Sequence, residues 1–273
     1  MSDAIFEYRR DLRSGTMTIS RRTEGSARWL ILDKPARRNA FDRAMLIELT
    51  DQLRTAEADE SIDVVVLTGA DGTFTSGGDL HYVNVLRQAG DRAAISEFTA
   101  RNVELFSLIE QLRKPVIAAV SGVAYAGGLV LALACDLIVA GDDAQFCAIQ
   151  ARRGFIDPFT ATRLSARIGM EHAKRMVYTS AVVGAEEAYR IGLVSAVVPA
   201  AGLDDEARRL ASAIASVDGE SVAIFKSMFG RQLPPFDIWT YAGHMVSEAA
   251  RAGTAEFVDG ARRAAGAKSD PHG

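Results

Sequence analysis

The sequence predicts an α/β fold with largely parallel sheets, followed by a helical carboxy-terminal region. Three observations carry this prediction. Short apolar runs rich in β-branched residues, at 64–67, 116–120 and 137–139, are too brief for helices and suit strands buried on both faces. Stretches with helical apolar spacing separate them, through Leu46, Leu49, Leu53 and Ala56 and again through Ile95, Phe98, Leu105, Ile109 and Leu112. Beyond Leu203 strand patterns cease, and Ala-rich helical stretches run to Ala267. The chain thus divides into an α/β core over 1–202 and a helical region over 203–273.

The elements follow in order. Met17-Thr18-Ile19 and Trp29-Leu30-Ile31-Leu32 predict a hairpin around the polar segment Thr23-Glu24-Gly25-Ser26. The first helix follows Pro35, and Asp63 leads into the strand at 64–67, which Gly69-Ala70-Asp71-Gly72 ends. A loop containing Gly77-Gly78 precedes the long second helix, where Asn102 falls on the apolar face, either as a polar contact in the cavity or, the reading preferred, as a core-facing amide. Residues 115–135 carry no charge and approach the length of a bilayer span. Pro115, Ser121, Gly122, Gly127 and Gly128 divide them instead into a buried strand, a turn and a buried helix over 127–134. Strands at 137–139 and 145–147 follow, and 268–273 reads as a frayed tail.

Composition narrows the function. Lys and Arg number 31 against 35 Asp and Glu, a net charge of −4, so no broad basic field exists to hold a nucleic acid. The two cysteines, Cys135 and Cys147, lie in apolar stretches without metal-ligand spacing and read as buried thiols, with no metal site. The first eleven residues lack the apolar run of a signal peptide, and no segment reads as a membrane span, so a cytoplasmic protein is expected.

Two glycine-rich turns each follow a buried strand and open toward a helix: Thr73-Phe74-Thr75-Ser76-Gly77-Gly78-Asp79 and Ser121-Gly122-Val123-Ala124-Tyr125-Ala126-Gly127-Gly128. Amide groups at a helix start lack internal acceptors and sit at the positive end of the helix dipole, so such turns suit an oxyanion or phosphate. Taken singly, each is equally a tight turn. Neither matches GxGxxG or a P-loop, and no GxSxG elbow is present.

Seven blocks in order resemble the crotonase, or enoyl-CoA hydratase/isomerase, superfamily. They are residues 35–41, 65–69, 74–80 and 114–122, then Cys135-Asp136-Leu137, Ala144-Gln145-Phe146 and the stretch 185–199 with Gly192-Leu193-Val194. The resemblance implies a crotonase-like spiral of ββα units with a helical carboxy-terminal region that packs between subunits of a homotrimer or hexamer. It implies an acyl thioester substrate, of coenzyme A or a carrier protein, and no separate cofactor, since coenzyme A arrives as part of the substrate. By motif position, the Gly78 and Gly127 amides form an oxyanion hole; each such donor contributes roughly 3 kcal/mol in a transition state.

The departures from the family pattern direct the mechanism. Hydratases carry two glutamates where this chain has Val130 and Gln150. Valine transfers no proton, and an amide is neither a useful acid nor a base. Two-carboxylate hydration is therefore not expected. Asp157, between Ile156 and Pro158-Phe159, aligns with a loop where some relatives carry a catalytic aspartate. Desolvation there would raise its pKa and suit a base or a nucleophile, whereas the alternative makes it a turn residue before proline.

The remaining candidates are binding residues. Ala40 and Ser76 lie in the matching blocks, and Tyr82, Val130, Phe155, Phe159 and the loop from Leu86 to Ala94 shape the acyl pocket. Tyr125 either donates into that pocket or packs, and Gln150 can orient a polar group. His81 stands where relatives place a phosphate-binding lysine, or is a surface histidine. Lys226 and Phe257 fall where relatives supply a phosphate contact and an adenine-packing ring, or are equally surface and core residues. His244 reaches a pocket or packs, while Asp79 and Asp136 read as structural. The expected enzyme is an isomerase or lyase that stabilises an enolate, with Asp157 as acid/base. An Asp157-dependent hydrolase or dehalogenase and a non-catalytic thioester-binding subunit are the alternatives.

Overall fold

The computed structural model describes residues 18–234, 243–245 and 247–266. Its main sheet has six strands among the described residues. Strands β1 (Ile19–Glu24) and β2 (Ala27–Leu32) form an antiparallel hairpin, and β3 (Val64–Gly69), β4 (Val116–Val120), β6 (Leu137–Gly141) and β9 (Ala196–Val198) continue from β2 in parallel. A second sheet joins β5 (Val123–Tyr125) to β7 (Gln145–Cys147) in parallel, and β7 to β8 (Val182–Gly184) antiparallel.

Both faces of the sheet's central strands β3, β4 and β6 are buried, which explains their unbroken apolar runs. Leu30, Leu32, Val65, Leu67, Val116, Ala118 and Val120 face the larger core. That core is closed by α1 (Arg43–Ala58), α3 (Arg92–Gln111) and α4 (Gly127–Ala134). Trp29, Val64, Val66, Ile117, Ala119 and Val139 alternate with them and face α7 (Leu203–Ala215), through Leu203, Ala207 and Ala211. The periodicity of α1 is realised, with Leu46, Leu49, Leu53 and Ala56 buried, and Asp42 caps it by accepting from Met45 N. Asn102 is a core amide that donates to the Phe98 carbonyl at 2.7 Å.

The uncharged run is a strand, a short strand and an eight-residue helix, and no described helix is long and apolar enough to cross a membrane. Three boundaries differ from the sequence reading. The hairpin's first strand reaches Glu24, so the turn contracts around Gly25, whose φ of +58° suits glycine. Strands β5, β8 and β9 are three residues each, too short to carry a period. The stretch from Leu86 to Ala94 is mostly helical, because Asp79 caps α2 (Leu80–Gln88) and Asp91 caps α3. Helices α5 (Ser165–Thr179), α6 (Ala185–Arg190), α8 (Gly219–Gly230) and α9 (Glu248–Gly266) follow among the described residues. The predicted tail at 268–273 and Met17 lie outside the described residues.

Candidate active site

The two glycine turns are zipped together. Phe74 N donates to Ser121 O, Thr75 N to Val123 O and Tyr125 N back to Thr75 O, with a parallel bridge between Thr75 and Ala124. On the other side Phe41 N donates to Gly77 O and Asp79 N to Phe41 O. Three loops thus run edge to edge beyond the strand ends. Their knot is buried Asn39, at φ +54°, a left-handed conformation that asparagine tolerates. Its amide donates to Ala70 O at 3.0 Å and Thr73 O at 2.6 Å, while its Oδ1 accepts from Lys34 N. Buried Thr75 donates to Asn39 O and accepts from Gly77 N, and Lys34 Nζ bridges the caps Asp42 (2.7 Å) and Asp79 (3.4 Å).

This knot places Gly78 beside Gly127. A Cβ built on Gly127 would lie 3.4 Å from Gly78 N, and one on Gly77 would meet Gly127 N at 2.8 Å. Among the described residues the Gly78 N–H has no protein acceptor. Gly127 opens α4, where first-turn amides have no intrahelical partner. Ala126, just before it, holds φ +49° and ψ −118°, a strained conformation for alanine; its N–H is tied to Cys147 O at 2.9 Å. The Phe41 ring lies against both glycines, and stacks edge-on to Phe106, which stacks edge-on to Phe159.

Phe159 carries the line of contacts to Asp157. Asp157 Oδ1 accepts from Phe159 N at 2.9 Å, and Oδ2 accepts from Thr160 Oγ1 at 2.9 Å and Gln150 Nε2 at 3.3 Å. Gln150 Nε2 also donates to Thr160 Oγ1 at 2.8 Å. As a residue Asp157 keeps some exposed surface, yet its carboxylate lies deep among packed atoms. That burial is the largest influence on it and pushes its pKa above the ordinary carboxylate value, against the opposing hydrogen bonds. The turn reading and the desolvated-carboxylate reading therefore describe one residue, which caps the turn entering 160–164 while burial raises the pKa of its carboxyl.

The other predicted site residues separate into groups. Ala40 and Ser76 are in the zipped loops, with Ser76 N donating to Arg38 O. Tyr82 is buried on α2, edge-on to Phe98, and desolvation pushes its phenol up to about 12. Val130 is fully buried in α4. His81 is half-buried at the second position of α2. The Tyr125 hydroxyl donates to Gln145 Oε1 at 2.8 Å on the exposed side of the second sheet, so its bonding there is outward. Lys226 is buried, and its ammonium donates to Ile109 O, Lys114 O and Asp136 Oδ2, which engages all three of its N–H groups away from any phosphate. His244 Nε2 donates to Gly154 O, 2.7 Å away, and so packs. The side chain of Phe257 lies outside the described residues.

A cavity of about 580 Å³ lies elsewhere, between α4, α5, α7 and α8, lined by Asp136, Arg163, Phe225, Lys226 and Phe229. Neither site glycine nor Asp157 lines it. Sequence reasoning missed Lys34, Asn39, Thr75 and Thr160. Their available signal was polarity inside or beside apolar motif blocks, the mark of backbone groups that need side-chain partners.

Comparison with known proteins shows the family. The profile of the enoyl-CoA hydratase/isomerase family matches residues 23–240. The rat mitochondrial enoyl-CoA hydratase domain-containing protein 3 is 34% identical over 219 residues, 80% of this chain and 71% of that protein. Crotonyl-CoA hydratase of Syntrophomonas wolfei is 34% identical over 200 residues, 72% of this chain and 75% of that one. The solved structure of a monofunctional enoyl-CoA isomerase from M. smegmatis superposes with a TM-score of 0.68 at 28% identity, covering 85% of this chain and all of the other. With its zipped glycine turns and a family match over most of its length, the chain belongs to the enoyl-CoA hydratase/isomerase family of the crotonase superfamily, whose members act on acyl-CoA thioesters.

Proposed function

We propose that this enzyme moves a proton next to the carbonyl of an acyl-CoA thioester, in an isomerase or lyase reaction, with Asp157 as acid/base. The observation that carries the reading is the two adjacent amides, Gly78 and Gly127, joined through the ring contacts of Phe41, Phe106 and Phe159 to the segment that holds the Asp157 carboxylate. The amides stabilise the enolate oxygen as negative charge develops there. Asp157 takes the α-proton, leaving the C–H electron pair in the enolate, and returns a proton at another carbon or to a leaving group. Val130 and Gln150 supply no carboxylate for two-carboxylate hydration. The exposed apolar face of α8, with Ile224, Phe225, Met228 and Phe229 each more than half exposed, supports assembly as a homotrimer or hexamer.

The test is solvent deuterium entry at the α-carbon of a panel of acyl-CoA thioesters. Asp157→Asn should lower exchange by about 10²–10⁴-fold while ligand affinity stays within a few-fold. Undiminished exchange in that variant removes Asp157 from the mechanism. Label from H₂¹⁸O entering Asp157 during a single turnover would replace proton transfer with nucleophilic hydrolysis or dehalogenation. Binding without turnover or exchange by the wild type would favour a thioester-binding subunit.

A further inference from the structure

We propose that Thr160, backed by Gln150, is a positioning residue that holds Asp157 in one rotamer and keeps its carboxylate available in the ionised form. The proposal rests on the acid/base role of Asp157 and names what sets that role's working pH.

The argument begins with donor and acceptor capacities. Ionised Asp157 only accepts, so the hydroxyl proton of Thr160, 2.9 Å from Oδ2, points at the carboxylate. Thr160 Oγ1 is then left as an acceptor, and Gln150 Nε2 meets it at 2.8 Å. The same nitrogen donates to Oδ2 at 3.3 Å. Turning the Gln150 amide over would set Oε1 against Oδ2, acceptor against acceptor. The orientation observed avoids this although it leaves Gln150 Oε1 buried without a partner among the described residues. An unpaired buried oxygen is costly, so this orientation favours a negative Asp157.

No nearby charge does this work. Among the described residues no ion pair reaches Asp157. The charged groups on the surrounding elements engage elsewhere: Arg152 with Thr179 O, Arg163 with Glu110, and Arg87 with Thr254 and Met245 O. Arg153 is attracted to Glu256, and His244 bonds Gly154 O. Burial opposes ionisation, and the donors Thr160, Phe159 N–H and Gln150 are what counter it.

The experiment is the pH profile of deuterium exchange, kcat/KM against pH, for wild type, Thr160→Val, Thr160→Ser and Gln150→Leu, beside Asp157→Asn. Thr160→Val is nearly isosteric and removes the hydroxyl, both the donor to Asp157 and the acceptor for Gln150. Its acid limb should move up by about one pH unit, with activity at high pH recovering toward wild type. Thr160→Ser should restore the wild-type limb, and Gln150→Leu should shift it in the same direction by less. A Thr160→Val limb that coincides with wild type overturns the proposal. If Thr160→Val does not fold, an unshifted Gln150→Leu limb overturns it instead. When Asp157→Asn is inactive and these limbs stay fixed, only the positioning role fails; when Asp157→Asn exchanges normally, the acid/base reading itself fails.

Discussion

Gly77 and Gly127 come from different turns, yet a Cβ on Gly77 would lie 2.8 Å from the Gly127 nitrogen, closer than real side chains approach backbone. Gly77 also holds φ at +91°, a conformation that side chains resist. Close backbone contact, rather than turn flexibility, is what this glycine provides.

Gly77→Ala should therefore push the two turns apart. The expected cost is about 2 kcal/mol or more of stability, from strain and backbone overlap. Displacing the Gly127 amide should also lower kcat by about 10²-fold, the order measured for loss of one oxyanion donor. Thermal melting and steady-state kinetics check both. A variant with wild-type kcat would show that the spacing of the turns does not set the amide geometry.

Lys34→Met tests the link between the caps. Asp42 and Asp79 are both buried, and the one ammonium contacts both. Its removal takes this shared ammonium from two carboxylates close to each other, at a cost of about 2–4 kcal/mol, since Lys34 itself is partly exposed. Denaturant unfolding measures it, and a change below about 0.5 kcal/mol would assign the caps' stability to their backbone bonds alone.

Lys226→Met separates a structural lysine from a phosphate ligand. Losing its contacts to Asp136, Ile109 O and Lys114 O should cost about 3 kcal/mol. KM for the acyl-CoA should stay unchanged. A KM raised tenfold in a variant of normal stability would restore the phosphate role.

Asp157 gives a pH-dependent stability with a definite sign. Burial raises its folded pKa above the ordinary 3.8, so the folded state holds this proton more tightly than the unfolded chain does. The resulting stability is fully present below the unfolded value and is lost as pH rises through the folded one. Asp157→Asn carries no charge to bury and should melt higher than wild type near about pH 8, with the gap closing toward about pH 4. Parallel melting curves across that range would show that the carboxylate is not desolvated in solution.

Much of the fold was legible because period and composition are local. The Leu46, Leu49, Leu53 and Ala56 stripe became the buried face of α1, and the division of residues 115–135 placed α4 at Gly127–Ala134. Strands β5, β8 and β9 were illegible, since three residues hold no period and their identity lies in their partners. The Leu86-to-Ala94 stretch misled because two caps, Asp79 and Asp91, outweighed its polar character.

By itself the sequence determined the alternation of buried strands and amphipathic helices, the two glycine turns and the absence of glutamate at 130 and 150. Only the tertiary structure decided that Asn39, Thr75 and Lys34 knot those turns together, that the Lys226 ammonium faces inward, and that Asp157 is held by Thr160 and Gln150. The physical reason is distance along the chain. Apolar periodicity is written in neighbouring residues, whereas a buried polar group is satisfied by whichever donor or acceptor the fold brings to it.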